Sequence, residues 1–349
     1  MSEMAVMRTT PTLEDVSKAA GVSTATVSRC LNTPDLVATA TRERVAEAIA
    51  ALGYTPNFAA RVMAAKRTMT IGAIVPTLEN AIFARGLQAF QEELNRSGYT
   101  LLVASSAYDP VVEADQIKTM VARGADGLLL IGHERDEAIY SYLDTQHVPT
   151  VVAWAYDAHR SEVSVGFDNR AAMRMVTEEV LHLGHERIGV ISGMRAGNDR
   201  VRLRLEGVLE AVSAAGLDRH SVIIVEKPYG VESGAEGFDA LMSQVPRPTA
   251  IICVNDVLAT GAMLRAQGRS YDVPGDISIT GFDDLDYARI LTPALTTVHV
   301  PHRAMGEKAA RQLVEMVENK SCGQSIKLDT ELKRRGSLAT VPVWYSDFN

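Results

Sequence analysis

Apolar and polar positions recur along this chain with two rhythms. Up to Leu52 the apolar residues fall three and four apart: Leu13, Val16, Ala19 and Ala20 share one face of a predicted helix, Val27 and Leu31 mark a second, and Val45, Ala48, Ile49 and Leu52 line a third running from about Thr41 to Leu52. From Thr70 onward short apolar runs alternate with amphipathic helical stretches. The runs are Thr70 to Val75, Thr100 to Ala104, Gly127 to Ile131, Thr150 to Trp154, Arg187 to Ile191, Ser221 to Val225, Ala250 to Val254 and Ile277 to Gly281. Such alternation predicts parallel sheets covered by helices, and a break near Phe167-Asp168-Asn169 predicts two lobes.

The ends of the first two helices carry their own chemistry. Thr12 and Asp15 have the spacing of a capping box, Gly21 can adopt the left-handed conformation that ends a helix, and Ser23 can cap the next one. Two short helices joined by a glycine turn are the geometry that sends a second helix into the DNA major groove. On that helix Thr24, Ala25, Ser28 and Arg29 face outward. Thr26 and Ser28 suit phosphate oxygens, the methyls of Thr24 and Ala25 suit thymine, and Arg29 can fork onto guanine. Ser23 and Asn32 complete the expected DNA-facing set on this helix.

Charge is divided along the chain. Residues 1–67 carry a balance of +2 within a total of −8, which leaves −10 on the rest. A mildly basic head on an acidic body confines the expected nucleic-acid contact to one end. Cys30, Cys253 and Cys322 show neither a disulfide pattern nor metal-ligand spacing. No apolar stretch is long enough to span a bilayer and no basic segment precedes an apolar run at the start, so a reduced cytoplasmic setting without membrane contact is expected. The chain lacks Gly-x-Gly-x-x-Gly, a P-loop, Gly-x-Ser-x-Gly and His-Glu-x-x-His, so no enzyme activity, cofactor or metal is expected. His182 and His185 are expected to cap and pack, and Lys333-Arg334-Arg335-Gly336-Ser337 is expected in a C-terminal strand.

Three segments resemble the LacI/GalR family of repressors in order and spacing: Val22-Ser23-Thr24-Ala25-Thr26-Val27-Ser28-Arg29, Tyr54-x-Pro56-Asn57-x-x-Ala60-Arg61, and Ile71-Gly72-x-Ile74-Val75-Pro76. The resemblance continues almost to the C-terminus. It implies an α/β fold with an N-terminal three-helix helix-turn-helix domain (about 8–55), a hinge helix (about 56–68), and a two-lobed periplasmic-binding-protein-like domain with parallel sheets (about 69–345). The N-lobe is expected at about 69–168 and 300–328, the C-lobe at about 169–299 and 329–345. It also implies that the hinge is helical on DNA, with Asn57 and Ala60 at the DNA and Met63 in the place of a leucine that wedges into a central base step; methionine is apolar and can serve. Arg61-Val62-Met63 replaces the commoner Arg-Ser-Leu, and Ala38 stands where a capping serine is common.

Open parallel sheets bind ligands outside the carboxyl ends of their strands, so the residues just after the apolar runs are the candidates for an effector site. These are Asn80 and Phe83, Ser105, Trp154, Asn255 and Asp283. Asp168 and Asn169 are expected as caps and lobe connectors. The family resemblance adds Arg204 from the run Arg200-Val201-Arg202-Leu203-Arg204, while Arg195, Arg200 and Arg202 fit a solvated helix face. Family members commonly show Asn-Pro-Phe-Phe where this chain has Asn80-Ala81-Ile82-Phe83. Arginine, amide and carboxylate together can anchor a sugar or a sugar acid, and Val165-Gly166-Phe167-Asp168-Asn169 with Tyr108-Asp109-Pro110 look similar to the gluconate-repressor branch. Two alternatives stand beside this: a purine-type corepressor sandwiched by Phe83 and Trp154, and a small-molecule binding or transport protein. One recognition helix reads too few bases for specificity, so a homodimer on a palindromic operator in double-stranded DNA is expected, possibly paired into a tetramer.

Overall fold

The computed structural model describes residues 10–55, 67–79 and 81–341. The chain divides into two compact units, residues 1–68 and 69–349.

The head is built on three helices, α1 (Leu13–Ala20), α2 (Thr24–Asn32) and α3 (Thr39–Leu52), with a single 3-10 turn at Pro34–Leu36. The capping box forms: the Asp15 N–H donates to the Thr12 hydroxyl at 3.3 Å, and the Thr12 N–H donates back to the Asp15 carboxylate at 2.9 Å. Gly21 closes α1 at φ 63°, and the Ser23 hydroxyl accepts the Thr26 N–H at 3.2 Å. Helix α3 starts two residues before the expected Thr41, because the N–H groups of Thr41 and Arg42 bond the Ala38 carbonyl without any help from a capping side chain. Val16, Ala20, Val27, Val45, Ala48 and Tyr54 form the core. Five expected core positions differ: Leu13, Leu31 and Ile49 are only half-buried, and Ala19 and Leu52 are exposed. Ala19 is exposed and Ser17 is buried in its place, its hydroxyl donating to the Glu14 carbonyl at 2.8 Å. Leu52 is exposed because Tyr54, just past the helix end, covers that side of the core, and Leu31 is half-buried.

The body begins with β1 (Thr70–Val75), α4 (Ala81–Arg96), β2 (Thr100–Ser105), α5 (Pro110–Ala122), β3 (Gly127–Ile131), α6 (Glu137–Thr145), β4 (Thr150–Ala153) and β5 (Ser164–Gly166). It continues through α7 (Asn169–His182), β6 (Ile188–Ser192), α8 (Asp199–Ala214), β7 (Val222–Glu226), α9 (Val231–Met242), β8 (Ala250–Cys253), α10 (Asp256–Gly268) and β9 (Ser278–Thr280). The last elements are β10 (Thr297–His299), α11 (His302–Asn319), β11 (Ile326–Lys327) and β12 (Glu331–Lys333). The first lobe holds a six-stranded parallel sheet in the order β11-β5-β4-β3-β1-β2, the second a four-stranded parallel sheet in the order β7-β6-β8-β9. Continuous apolar runs make these strands because both faces of the central ones are covered: Leu128, Leu129 and Leu130, like Ile251 and Ile252, are fully buried. The chain crosses between the lobes after β5, after β10 and after β11.

Strands β5, β10 and β11 lie outside the expected apolar runs, being two or three residues long, and the expected C-terminal strand appears as β12, which ends where the expected segment begins. The basic run Lys333-Arg334-Arg335-Gly336-Ser337 leaves its strand at Lys333. Ser337 is buried, its hydroxyl accepting the Thr296 N–H and donating to the Ile279 carbonyl. His185 is fully buried between the Thr249 hydroxyl (3.0 Å) and the Ala339 carbonyl (2.9 Å). Among the described residues no cluster of histidine, cysteine and acidic side chains could hold a metal, and no helix is long and apolar enough to cross a membrane.

Candidate functional site

Helix α2 turns Val27 into the core and leaves Thr24, Ala25, Arg29 and Asn32 exposed, with Thr26 and Ser28 half-buried beside them. Ser23 spends one lone pair as the helix cap, and its hydroxyl lies 2.9 Å from that of Thr26. Asn32 donates to the Ser28 hydroxyl at 3.2 Å, a bond that fixes both groups on the outer face. The result is a short polar surface with one guanidinium and two methyl-bearing side chains, chemistry that fits base edges flanked by phosphates. Asn57, Ala60 and Met63 lie outside the described residues.

In the body, the ends of several strands turn through backbone conformations that side chains resist. Ala107 and Tyr108 after β2, Trp154 after β4, and Asp283 and Asp284 after β9 all have positive φ. Such strain collects where a fold aims residues at a ligand. Between these turns and the second lobe lies a cavity of about 350 Å³. Pro76, Thr77 and Tyr108 line it from the first lobe, Met194, Asn198 and Tyr229 from the second. The rings of Tyr108 and Tyr229 meet across it at 5.9 Å and 47°, and Asn198 donates to the Tyr229 hydroxyl at 3.4 Å. Burial raises the pKa of both phenols, so both stay neutral donors.

Arg204, Asn255 and Asp283 are brought together in a fully buried layer. The Arg204 Nε donates to Asn169 Oδ1 at 2.9 Å and its Nη1 to the Val254 carbonyl at 2.6 Å, while the guanidinium lies 3.8 Å over the Phe282 ring. Asn169 donates in turn to the Trp154 carbonyl at 2.9 Å, so a second-lobe arginine is tied to a first-lobe strand end. Arg204 Nη2 stands 3.9 Å from Asp283 Oδ1. Neither oxygen of Asp283 has a hydrogen-bond partner. Burial pushes its carboxyl well above the usual range, against the pull of Arg204. Asn255 caps α10 through Oδ1, which accepts the Leu258 N–H at 2.9 Å, and its amide nitrogen has no partner.

Other expected positions fall elsewhere. Phe83 and Trp154 are 2% and 1% exposed and pack on each other edge to face at 5.4 Å. They belong to the core of the first lobe and cannot sandwich a ligand, because apolar burial holds each ring against the other. Ser105 donates to the Pro76 carbonyl at 3.2 Å and so supports the cavity wall from behind. Asn80 lies outside the described residues. Arg200, expected in solvent, is 6% exposed: its Nη1 donates to the Ile131 carbonyl at 3.1 Å and to Asp199 at 2.9 Å. The first turn of α8 docks on the loop after β3, where Asp199 also accepts the His133 N–H at 2.6 Å. Tyr108, Asn198 and Tyr229 escaped the sequence reasoning, although Tyr229 follows β7 by three residues and the rule of strand ends reaches it.

Residues 12–57 match a family model described as "Bacterial regulatory proteins, lacI family", and residues 177–338 one described as "Periplasmic binding protein-like domain". The chain is 34% identical over 334 residues to the HTH-type transcriptional repressor PurR of Klebsiella pneumoniae (strain 342), covering 95% of this chain and 98% of that one. It is similar in structure to a LacI-family transcriptional regulator from Silicibacter pomeroyi, with a TM-score of 0.86 at 28% identity over 94% of this chain and 99% of the other. The lac repressor dimer bound to operator and the anti-inducer ONPF gives a TM-score of 0.84 at 25% identity, over 95% of this chain and 100% of the other.

Proposed function

This chain belongs to the LacI family of bacterial regulatory proteins and is a DNA-binding transcriptional regulator, and we propose that it represses sugar or sugar-acid catabolism genes under the control of an effector in the cleft. The observation that carries this reading is the buried pair Arg204 and Asp283, joined to both lobes through Asn169 and Val254. Because burial favours the protonated form of Asp283, the positive charge of Arg204 is left uncompensated and attracts an anion. A hydroxylated acid meets both needs, its carboxylate at the guanidinium and its hydroxyls at the amides and phenols. The effector acts by binding one arrangement of the lobes better than another, which shifts their population.

A purine-type corepressor is the second reading, favoured by the two tyrosine rings that face the cavity. Thermal-shift measurements of the purified protein against aldonic and uronic acids, neutral sugars, sugar phosphates and purines separate the two. A ligand present at a hundredfold its Kd adds about 2.7 kcal/mol of stability. A shift with sugar acids supports the first reading, and a shift with purines alone replaces it by the second.

On the DNA side, Ser23, Thr24, Ala25, Thr26, Ser28, Arg29 and Asn32 form the proposed contact surface, with Asn57, Ala60 and Met63 as the hinge contacts. Arg29→Ala is expected to cost about 1–3 kcal/mol at one operator position and to relax base preference there. Binding to a library of single-base operator variants checks this, and an equal loss on every sequence makes Arg29 a phosphate contact instead. Two copies on a palindrome are proposed as the working unit. The free edge of the first-lobe sheet supports it, since β2, an edge strand paired only with β1 among the described residues, leaves Leu102 and Val103 about two-fifths exposed.

A further inference from the structure

The loop after β3 is held from two directions. From the second lobe, Arg200 Nη1 donates to the Ile131 carbonyl at 3.1 Å, and Asp199 accepts the His133 N–H at 2.6 Å. From within the first lobe, Arg135 folds back on the same loop: its Nη1 donates to the Gly132 carbonyl at 2.7 Å and to the Tyr140 hydroxyl at 2.6 Å, and its Nη2 to the Ile131 carbonyl at 3.4 Å. The Ile131 carbonyl therefore accepts from a guanidinium of each lobe. The remaining partner of Arg135 lies on α5, where Nε and Nη2 meet the two carboxylate oxygens of Glu113 at 3.3 and 3.0 Å, a bidentate fork that fixes orientation as well as distance. The Arg135 side chain is 2% exposed, and all five N–H groups of its guanidinium have an acceptor. Glu113 belongs to the first turn of α5, which Asp109 caps by accepting the N–H groups of Val111 and Val112 at 2.8 and 3.3 Å, while the Glu113 N–H donates to the Asp109 carbonyl at 2.9 Å. The turn is one unit. On its outer side Val111 is 69% and Val112 37% exposed, a short connection after the exposed Leu102 and Val103 of β2.

We propose that Arg135 is a positioning residue that carries the position of the second lobe, felt at the Ile131 carbonyl, through Glu113 to the apolar first turn of α5, and that this turn belongs to the face where two copies of the chain meet. This inference rests on the two-copy reading above and deepens it. Its basis is the rigidity of the guanidinium, a planar fork that cannot follow one partner without leaving another. While Asp199 and Arg200 hold the loop, every donor of Arg135 is engaged and the fork keeps Glu113, and with it Val111 and Val112, in one place. When the second lobe lets go, the Ile131 and Gly132 carbonyls are free to turn and the fork loses its back support. The α5 turn must then be ordered again each time two copies join, and that ordering opposes association. Release of the loop therefore weakens the dimer. The second copy is the occupant that fits the turn, because Val111 and Val112 extend the apolar surface that begins at the free edge of β2.

The test is a double-mutant cycle in the full-length chain with Arg200→Met and Glu113→Gln, read by the dimer Kd from sedimentation and by hydrogen exchange of backbone amides. Arg200→Met removes the second-lobe donor; Glu113→Gln keeps the shape of the α5 partner and removes its charge. In the wild-type background the proposal expects Arg200→Met to raise the dimer Kd by about threefold or more and to speed exchange at Val111, Val112 and Glu113, with the amides of β7 in the second lobe unchanged. In the Glu113→Gln background the same substitution should move both readouts by less than about twofold, because the link is already cut. Equal effects in the two backgrounds, or exchange in β7 that rises as much as in α5, make Arg200 a contact for stability alone and overturn the proposal. If the wild type sediments as a monomer at every concentration, the two-copy reading fails and the α5 turn loses its place in a shared face. The exchange cycle then still decides the link through Arg135: loss of the α5 response in the Glu113→Gln background supports it, and an undiminished response overturns it.

Discussion

Replacing Arg204 by alanine is expected to abolish the response to effector and to cost about 3–5 kcal/mol of stability at neutral pH. The cost has named sources. Removing the guanidinium leaves Asn169 Oδ1 and the Val254 carbonyl without their donor, opens a void against Phe282, and withdraws the positive charge nearest to Asp283. Its pH dependence has a definite sign. Asp283 already has a folded-state pKa raised above its unfolded value, so this group favours folding most at acid pH, and its contribution declines as pH rises through the folded value. Without Arg204 that folded value climbs further. The gap between variant and wild type is therefore smallest in acid, where Asp283 is protonated in both, and widens once the pH passes the raised folded value of the wild type. Urea unfolding of the two proteins across this range measures the gap directly. Operator binding by the folded fraction should survive, because none of the DNA-facing side chains on α2 depends on Arg204. A pH-independent gap would show that lost packing, and not the uncompensated carboxyl, dominates the effect.

The order of elements was legible because it rests on local rules: apolar runs marked β1 to β4 and β6 to β9, and Thr12, Asp15, Gly21 and Ser23 marked the ends of the first helices through capping chemistry. The ligand site was legible only in part. Asp283 was reached by the rule of strand ends, just after the run Ile277 to Gly281, whereas Arg204, inside a helix rich in charge, came only through the family resemblance; the structure buries the two together. Phe83 and Trp154 were misplaced because an aromatic after a strand can turn toward the cleft or back onto the sheet, and only tertiary packing decides. Arg200 was misread for a related reason. Arginines at alternating positions of α8 have the period of a solvated face, yet Arg202 pairs with Glu134 in partial exposure while Arg200 is buried against the Ile131 carbonyl. Which arginine goes inward depends on where the first turn of α8 meets the opposite lobe, a contact between positions 69 residues apart that no local pattern carries.

That contact yields the second large effect. Helix α8 holds Arg204 in one turn and, one turn earlier, Asp199 and Arg200, which clasp the loop after β3 across the lobes. Gly132 sits inside the clasp at φ 71°, and a Cβ there would lie 1.9 Å from Arg200 Nη1 and 2.4 Å from Asp199 Oδ1. Gly132→Ala therefore pays twice, in a left-handed backbone that alanine resists and in the loss of the buried bonds. We expect about 3 kcal/mol or more of destabilisation. The clasp should itself weaken in acid. Burial opposes the charge on Asp199, but Arg200 and the His133 N–H outweigh it and hold the carboxyl below its usual 3.8, so its stabilising share is complete above that value and is lost as pH falls below it. A less severe variant, Asp199→Asn, keeps the shape and removes the charge, and should reproduce part of the loss at pH 7 but none at the acid end. Denaturant midpoints give the energies, and the radius of gyration from solution scattering reports whether the lobes part. If Gly132→Ala unfolds at the wild-type midpoint with an unchanged radius, Asp199 and Arg200 rearrange without penalty and the clasp does not hold the lobes together.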